Sequence, residues 1–487
     1  MSVLTPFLIF CVVLILWFWP RQRKDGPPTF PGALPLIGHG HQLFGNRKHL
    51  WKYIQQLSHY CLEKGDVLEI WLGPHTVYFL TDPDDILTVS NTCLNKSYFY
   101  EFTKDFIKNG LITSEPSIWK NHRRLLNTAF SQRILDTFVD EINTQTREFV
   151  TNLYSQVGKK PFDMRQYLIK YILKTVSRTS LGLEVEDQTM IDETYTNALE
   201  SLTKIYLERT KKLYLHPSCI FDRTNLKKKQ DDLISILINI TKAVIAKGKS
   251  ELKNKRILAE KPGKLSCLLD QLLQLADDHQ TFSDEEIQQH LDTFVMASFG
   301  STSGTLMDVF LAIGSKPDVQ NKIFAEVQQV QPNKNENISK YDLGKLEYVE
   351  AVIKETLRVY ATLPGTSRKI EKDVKLKNYT LRAGSTCIFN FYGVSYHSMW
   401  GPDRNEFKPE RWLDPAKLPR NPNAFCYFGI GKRNCIGKQF AMTVMKLTVA
   451  YVVRNYHVES DISKLEAEYE ILLKPISGNL LSLTSRS

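Results

Sequence analysis

The chain has 487 residues, of which 42% are hydrophobic and 24% charged, with a formal net charge of +10. That exceeds the ~100–200 residues of a typical domain, yet no Gly/Ser- or Pro-rich run divides the interior and no repeat appears, so one large globular unit is expected from about residue 50 onward. The basic residues are dispersed and come with no nucleic-acid motif, and the eight cysteines include no C-x-x-C pair, which argues against nucleic acid and zinc and leaves an anionic membrane surface or an acidic protein as partners.

Residues Val3 to Trp19 form an uncharged run of 17 residues. That is the lower limit for a transmembrane helix, which takes ~17–25 residues. No basic stretch precedes the run and no small-x-small site follows it, so an uncleaved anchor over residues 1–20 is expected rather than a signal peptide. The basic RQRK that follows keeps the remainder of the chain cytoplasmic. Residues 21–38 contain PPTFPGALPLIG, whose prolines favour an extended hinge ahead of a catalytic domain at 39–487.

Further along, WKNHRR places Trp119 and Arg123 four apart on a helical stretch. A capping box at Ser283 and Glu286, with Gly314 and Pro317 at the far end, predicts one helix of ~30 residues and ~45 Å. Its middle, GSTSG at 300–304, is poor helix-forming sequence. Such a stretch suits either a local bulge that serves a ligand or close helix–helix approach by small residues. The amphipathic YVEAVIKETLRVY carries Glu355 and Arg358 at i, i+3, a spacing that alone is weak evidence for anything beyond an ordinary ion pair. Near the C-terminus, FGIGKRNCIG at 428–437 surrounds Cys435 with Gly429, Gly431 and Gly437 just before a helix that carries Phe440, Val444, Leu447 and Tyr451. Glycines admit positive φ and close ligand approach, while backbone N–H groups and a helix N-terminus stabilise a thiolate, so Cys435 is a ligand or a nucleophile.

FGIGKRNCIGKQFA resembles the haem-binding loop of cytochrome P-450 enzymes, F-G-x-G-x-R-x-C-x-G, and ETLR, FKPERW and WKNHRR are similar to that family's other motifs in the same order. The resemblance implies a mostly α fold with a small β region, a single haem-thiolate domain. It implies haem b with Cys435 as the axial thiolate, Phe428 against the cofactor, and Arg433, Trp119 and Arg123 as propionate partners, joined by Arg368 and His397. It also implies a buried structural triad of Glu355, Arg358 and Arg411, and residues about 199–260 as a mobile roof over the pocket. Electrons would come from NADPH through a flavoprotein reductase docked near Lys120, Arg124, Lys432 and Lys438, at the endoplasmic-reticulum membrane. A lipophilic substrate would receive one oxygen atom: a fatty acid, terpenoid or hormone, odorant or xenobiotic. The aromatic run 98–106, Phe299, Leu363 and Thr366 are candidate pocket walls or plain core.

On the distal side the family usually reads A/G-G-x-D/E-T-T, and here Ala297, Ser298, Gly300, Ser301 and Thr302 occupy the matching positions. The acid is missing at Gly300, which leaves Ser301 and Thr302 as the proton-relay hydroxyls, with water in the space beside Gly300. Rivals to monooxygenation are therefore rearrangement of lipid hydroperoxides without a reductase, and a haem protein that only binds lipophiles. The stretch 110–130 is similar to the animal family-four branch, some members of which carry a haem-esterified glutamate where Ala297 stands, so a noncovalently held haem is expected here. Tyr427 replaces a frequent proline and Val444 a frequent glutamate.

Overall fold

The computed structural model describes residues 26–183, 193–257, 267–279 and 281–486. The expected anchor and the RQRK stretch lie outside the described residues. Helices of ten or more residues and strands of five or more are labelled in chain order. The first part comprises α1 (Arg47–Glu63), β1 (Val67–Leu72), β2 (His75–Leu80), α2 (Pro83–Thr92), α3 (Pro116–Ala129), α4 (Gln132–Leu153), α5 (Arg165–Val176), α6 (Glu193–Lys211), α7 (Asn225–Ile257) and α8 (Leu268–His279). Then come α9 (Asp284–Gly314), α10 (Pro317–Val330), α11 (Glu347–Tyr360), β3 (Gly365–Lys369), β4 (Thr386–Asn390), α12 (Lys438–Asn455), β5 (Tyr456–Ser460), β6 (Glu466–Glu470), β7 (Leu472–Ser477) and β8 (Leu480–Ser485). The fold is mostly helical with small sheets.

The core is organised around α9. Its start is set by the reciprocal capping box, in which the Ser283 hydroxyl accepts from the Glu286 N–H while the Glu286 carboxylate accepts from the Ser283 N–H at 2.8 Å. Among the described residues this is the one helix long and apolar enough to cross a membrane, but every residue from Thr305 to Gly314 is buried against protein. It packs on α5, α7, α11, α12 and β5, as expected for an interior helix that is apolar on all sides. No bulge interrupts it at 300–304. The small residues there serve close approach instead: an added Cβ would meet Leu472 Cδ1 at 3.0 Å from Gly300 and Thr362 Cγ2 at 2.9 Å from Gly304.

One sheet has the order β1–β2–β4–β3, with β2 and β4 parallel and the outer pairs antiparallel. The proline-rich stretch is extended and lies along β1, where the Phe30 N–H donates to Glu69 O at 3.1 Å and the Glu69 N–H to Pro28 O at 2.9 Å. β6 and β7 form a separate antiparallel hairpin whose tip residue, Ile471, has φ +71°. Most of the residues expected to roof the pocket belong to α6 and α7, which pack on one another. Within the aromatic run, Tyr98 stacks on His75 at 4.5 Å and meets Phe99 at 4.2 Å.

Candidate active site

Cys435 sits two residues before the Gly437 N-cap of α12, in a loop closed by a hydrogen bond from its own N–H to Phe428 O at 2.7 Å. Gly429 and Gly431 hold φ of +73° and +74°, a left-handed conformation costly to other residues, and bend the loop back on itself. The loop rests on α2, where the Ser90 hydroxyl donates to Ile430 O at 2.6 Å. The Phe428 ring is half-buried, 5.9 Å from the Lys438 ammonium.

The Cys435 side chain is accessible, yet burial is the largest influence on its thiol and pushes its pKa up. The Gly437 N–H, Arg123 and Lys438 pull the pKa the other way without prevailing, and Lys432, whose Nζ is 3.4 Å from Asn91 O, takes no part. A free nucleophilic thiol needs a lowered pKa. A sulfur raised by burial and open on one side suits a metal ligand instead, because a coordinated cation deprotonates the thiol outright.

Arg433 does not act on the sulfur. Its Nη2 donates to Ser114 O at 2.6 Å and its guanidinium lies 4.7 Å over the buried Trp119 ring, while Nε and Nη1 are buried without partners. Arg368 donates from Nη1 to Ser367 O at 2.9 Å and also leaves a buried Nε unpaired. Burial, followed by the charges of Arg368 and Arg433, drives the Lys96 ammonium well below its ordinary pKa. Burial and Arg368 bring Arg433 down to about 9. Among the described residues no salt bridge reaches any of the three. Arg368 and Arg433 are buried and Lys96 is half-buried over the Tyr100 ring at 4.6 Å, with only the Glu371 carboxylate acting on Arg433 from a distance among the described residues, so this cluster suits an anionic ligand. Nothing in CLNKSY singles out Lys96, whose membership rests on the charges of Arg368 and Arg433 that its ammonium feels in the folded chain.

Two further expected propionate partners are engaged by protein groups. Arg123 clamps the sulfur loop, donating from Nη1 to Asn434 O at 2.7 Å, from Nη2 to Asn434 Oδ1 at 2.9 Å and from Nε to Asn127 Oδ1 at 2.9 Å. Those bonds occupy three faces of its guanidinium and set its charge near the Cys435 thiol. His397 caps a turn by accepting the Met399 N–H at 3.0 Å, with Asp66 Oδ1 3.4 Å from its other nitrogen, and no described contact joins it to the cation cluster.

On α9 the Ser301 hydroxyl donates to Ala297 O at 2.7 Å and the Thr305 hydroxyl to Ser301 O at 2.9 Å; Thr302 is buried. No carboxylate stands at position 300, and Leu472 of β7 comes against that glycine.

Behind the loop, Glu355 is fully buried and accepts from Arg358 Nε and Nη2 at 2.8 Å each, from Arg411 Nε at 3.0 Å and from Trp412 Nε1 at 2.9 Å. Arg358 also donates to Arg404 O at 2.6 Å and Glu406 O at 2.7 Å. The i, i+3 pair is thus the centre of a buried network linking α11 to the segment before the sulfur loop.

An accessible thiol ahead of a helix N-terminus, with a nearby cation cluster whose buried guanidinium nitrogens lack partners, fits a metal-bearing cofactor that carries carboxylates. The cytochrome P450 family description matches residues 27–482. The chain therefore belongs to the cytochrome P-450 family of haem-thiolate monooxygenases. Among curated relatives, human cytochrome P-450 4V2 is 27% identical over 485 residues, covering 96% of this chain and 91% of that protein. Cytochrome P-450 4d1 of Drosophila melanogaster is 28% identical over 456 residues (89% and 87%), and cytochrome P-450 4c21 of Blattella germanica 25% over 494 residues (99% and 98%).

Proposed function

We propose that the protein is a reductase-dependent monooxygenase that inserts one oxygen atom into a lipophilic substrate drawn from the endoplasmic-reticulum membrane, with its catalytic domain on the cytoplasmic side. Cys435 would hold haem b through its thiolate, and Arg433, Arg368 and Lys96 would take the propionates, with Trp119 under Arg433. Bound there, haem supplies reductive activation of dioxygen, and the thiolate donates electron density that favours O–O cleavage. The chain's part is to keep the sulfur loop rigid through Arg123 and the two left-handed glycines, and to present Ser301 and Thr302 on the distal helix. NADPH electrons would enter through a flavoprotein reductase at the basic face near Lys120, Arg124, Lys432 and Lys438. The apolar run 3–19 followed by RQRK supports the membrane assignment. The observation that carries the reading is the cation cluster with its unpaired guanidinium nitrogens.

The absence of a carboxylate at position 300 favours a second reading, rearrangement of lipid hydroperoxides with no reductase. One experiment separates the two: membrane-bound protein, reductase, NADPH and a mixed pool of fatty acids, their hydroperoxides and terpenoid alcohols under isotopically heavy dioxygen. Labelled, NADPH-dependent product is expected. Unlabelled product from the hydroperoxides without NADPH would establish the second reading. A reduced CO spectrum with the thiolate signature in wild type and without it in Cys435→Ala checks the ligand.

A further inference from the structure

The distal helix holds a buried acid that the site as described does not use. Ala297, Ser301, Thr305 and Asp308 recur at i, i+4, i+8 and i+11 of α9 and so share one face. Asp308 is 6% exposed and accepts a hydrogen bond from Thr362 Oγ1 on Oδ2 at 2.9 Å. Thr362 Oγ1 lies 3.2 Å from Thr305 Oγ1, and Thr305 donates to Ser301 O at 2.9 Å. A connected line of hydroxyls thus runs from the acid to the turn below Ser301.

Several features fix that line. Ala361, left-handed at φ +41°, turns the chain back toward α9 at the end of α11. Gly304 leaves room for Thr362, whose Cγ2 an added Cβ would approach to 2.9 Å. The Leu473 N–H holds Thr362 O at 2.8 Å from the far side. No Lys, Arg or His contacts Asp308 among the described residues, and Tyr360 of α11 is the titratable group that feels its charge. Burial raises the Asp308 pKa to about 7 and keeps the Tyr360 phenol neutral. An acid tuned near the working pH both holds and releases a proton.

We propose that Asp308 is the proton source for the distal face, acting through Thr362 and Thr305 toward Ser301 in place of the carboxylate absent at position 300. The inference rests on the monooxygenase reading, in which inserting one oxygen atom and releasing the other as water takes two electrons from NADPH and two protons. In each transfer the Asp308 O–H bond breaks as one forms at Thr362 Oγ1, whose own proton passes to Thr305 Oγ1. The Thr305 proton moves on toward the departing water, and the Asp308 carboxylate regains a proton from solvent. Hydroxyls donate and accept, so only rotation about C–O bonds is needed to reverse their present directions. The Cβ atoms of residues four apart on a helix lie ~5–6 Å from one another, so a single water would suffice to link the Thr305 and Ser301 hydroxyls.

The test compares wild-type holoenzyme with Asp308→Asn, which keeps an acceptor for Thr362 and loses the proton, and with Thr305→Val; the reduced CO spectrum confirms an intact haem site in each. Difference infrared spectra between about pH 5 and about pH 9, taken in an Asp292→Asn background so that the other buried acid of α9 is silent, should show a buried carboxylic acid ionising and its band missing once Asp308→Asn is added. With reductase, NADPH, heavy dioxygen and the lipid that wild type labels from the mixed pool, labelled product per NADPH should fall ~10-fold or more in both variants, the loss appearing as hydrogen peroxide. An infrared band unchanged when Asp308→Asn is added to the Asp292→Asn background, or equal product per NADPH in wild type and Asp308→Asn, overturns the relay alone. No labelled product from wild type overturns the monooxygenase reading, and the relay with it.

Discussion

Gly431 and Gly429 share a left-handed backbone but differ in their surroundings. A Cβ on Gly431 would stand 2.6 Å from Ser90 Oγ and 2.9 Å from Asn91 Oδ1, whereas on Gly429 the nearest atom is Asn434 Cα at 3.4 Å. Each substitution to alanine should cost ~1–2 kcal/mol for the backbone conformation alone. Gly431→Ala should cost a further ~1–3 kcal/mol for overpacking against α2. Urea unfolding should rank the two variants in that order, and the thiolate signature should fade in Gly431→Ala first. Position 427 shows the opposite use of bulk: where the resembled loop has proline, the Tyr427 phenol hydrogen-bonds with Ser395 and reaches Arg358 O at 3.4 Å. A residue that reads as a departure therefore ties the sulfur loop to the buried network around Glu355. Val444 is buried in α12 and brings no charge there.

α9 makes its own contribution to stability as a function of pH. Besides Asp308 it carries Asp292, whose carboxylate accepts from Thr241 Oγ1 at 2.6 Å and Gln288 Nε2 at 3.0 Å and is raised to about 7, chiefly by burial. Both groups bind their protons more tightly in the folded state than in the unfolded chain. The stability they contribute is fully present below the unfolded value of 3.8 and is lost as pH rises through about 7. Wild type should therefore show a lower urea midpoint at about pH 8 than at about pH 5, and the Asp292→Asn, Asp308→Asn double variant should flatten that difference. The same helix separates legible from illegible features. Its start is written in Ser283 and Glu286, three residues apart, and its end in Gly314. The contact of Gly304 with Thr362 and that of Gly300 with Leu472 depend on chain segments that meet only after folding, so the weak middle reads as a bulge serving a ligand although the helix runs through it unbroken.

Across the whole molecule the legible parts are those whose chemistry is local in the chain. The glycines around Cys435 stand within a few positions of it, and ETLR and FKPERW each carry a motif, so the mostly helical haem-thiolate fold and the Glu355 network can be anticipated. The anion-facing cluster is legible only in part. Arg433 and Arg368 belong to motifs, but Lys96 joins them only through the charge it shares with them in the folded chain. Arg123 and His397 sit in motifs, and their contacts with Asn434 and Asp66 arise from the folded chain. Pairing of β2 with β4 is likewise invisible locally, since the parallel register from Val77 with Thr386 to Leu80 with Phe389 joins distant segments.

Cysteine accessibility has a practical consequence. Of the seven described cysteines, Cys61, Cys93, Cys267, Cys387 and Cys426 are buried, while Cys219 and Cys435 are exposed. Cys219 should react with a maleimide whether or not cofactor is bound, and Cys435 only while its sulfur is uncoordinated. In a Cys11→Ser background, brief labelling followed by intact-protein mass spectrometry should add one adduct to loaded molecules and two to empty ones. The chain thus contains its own stoichiometric gauge of cofactor occupancy, one that sorts individual molecules where an absorbance spectrum reports only their average.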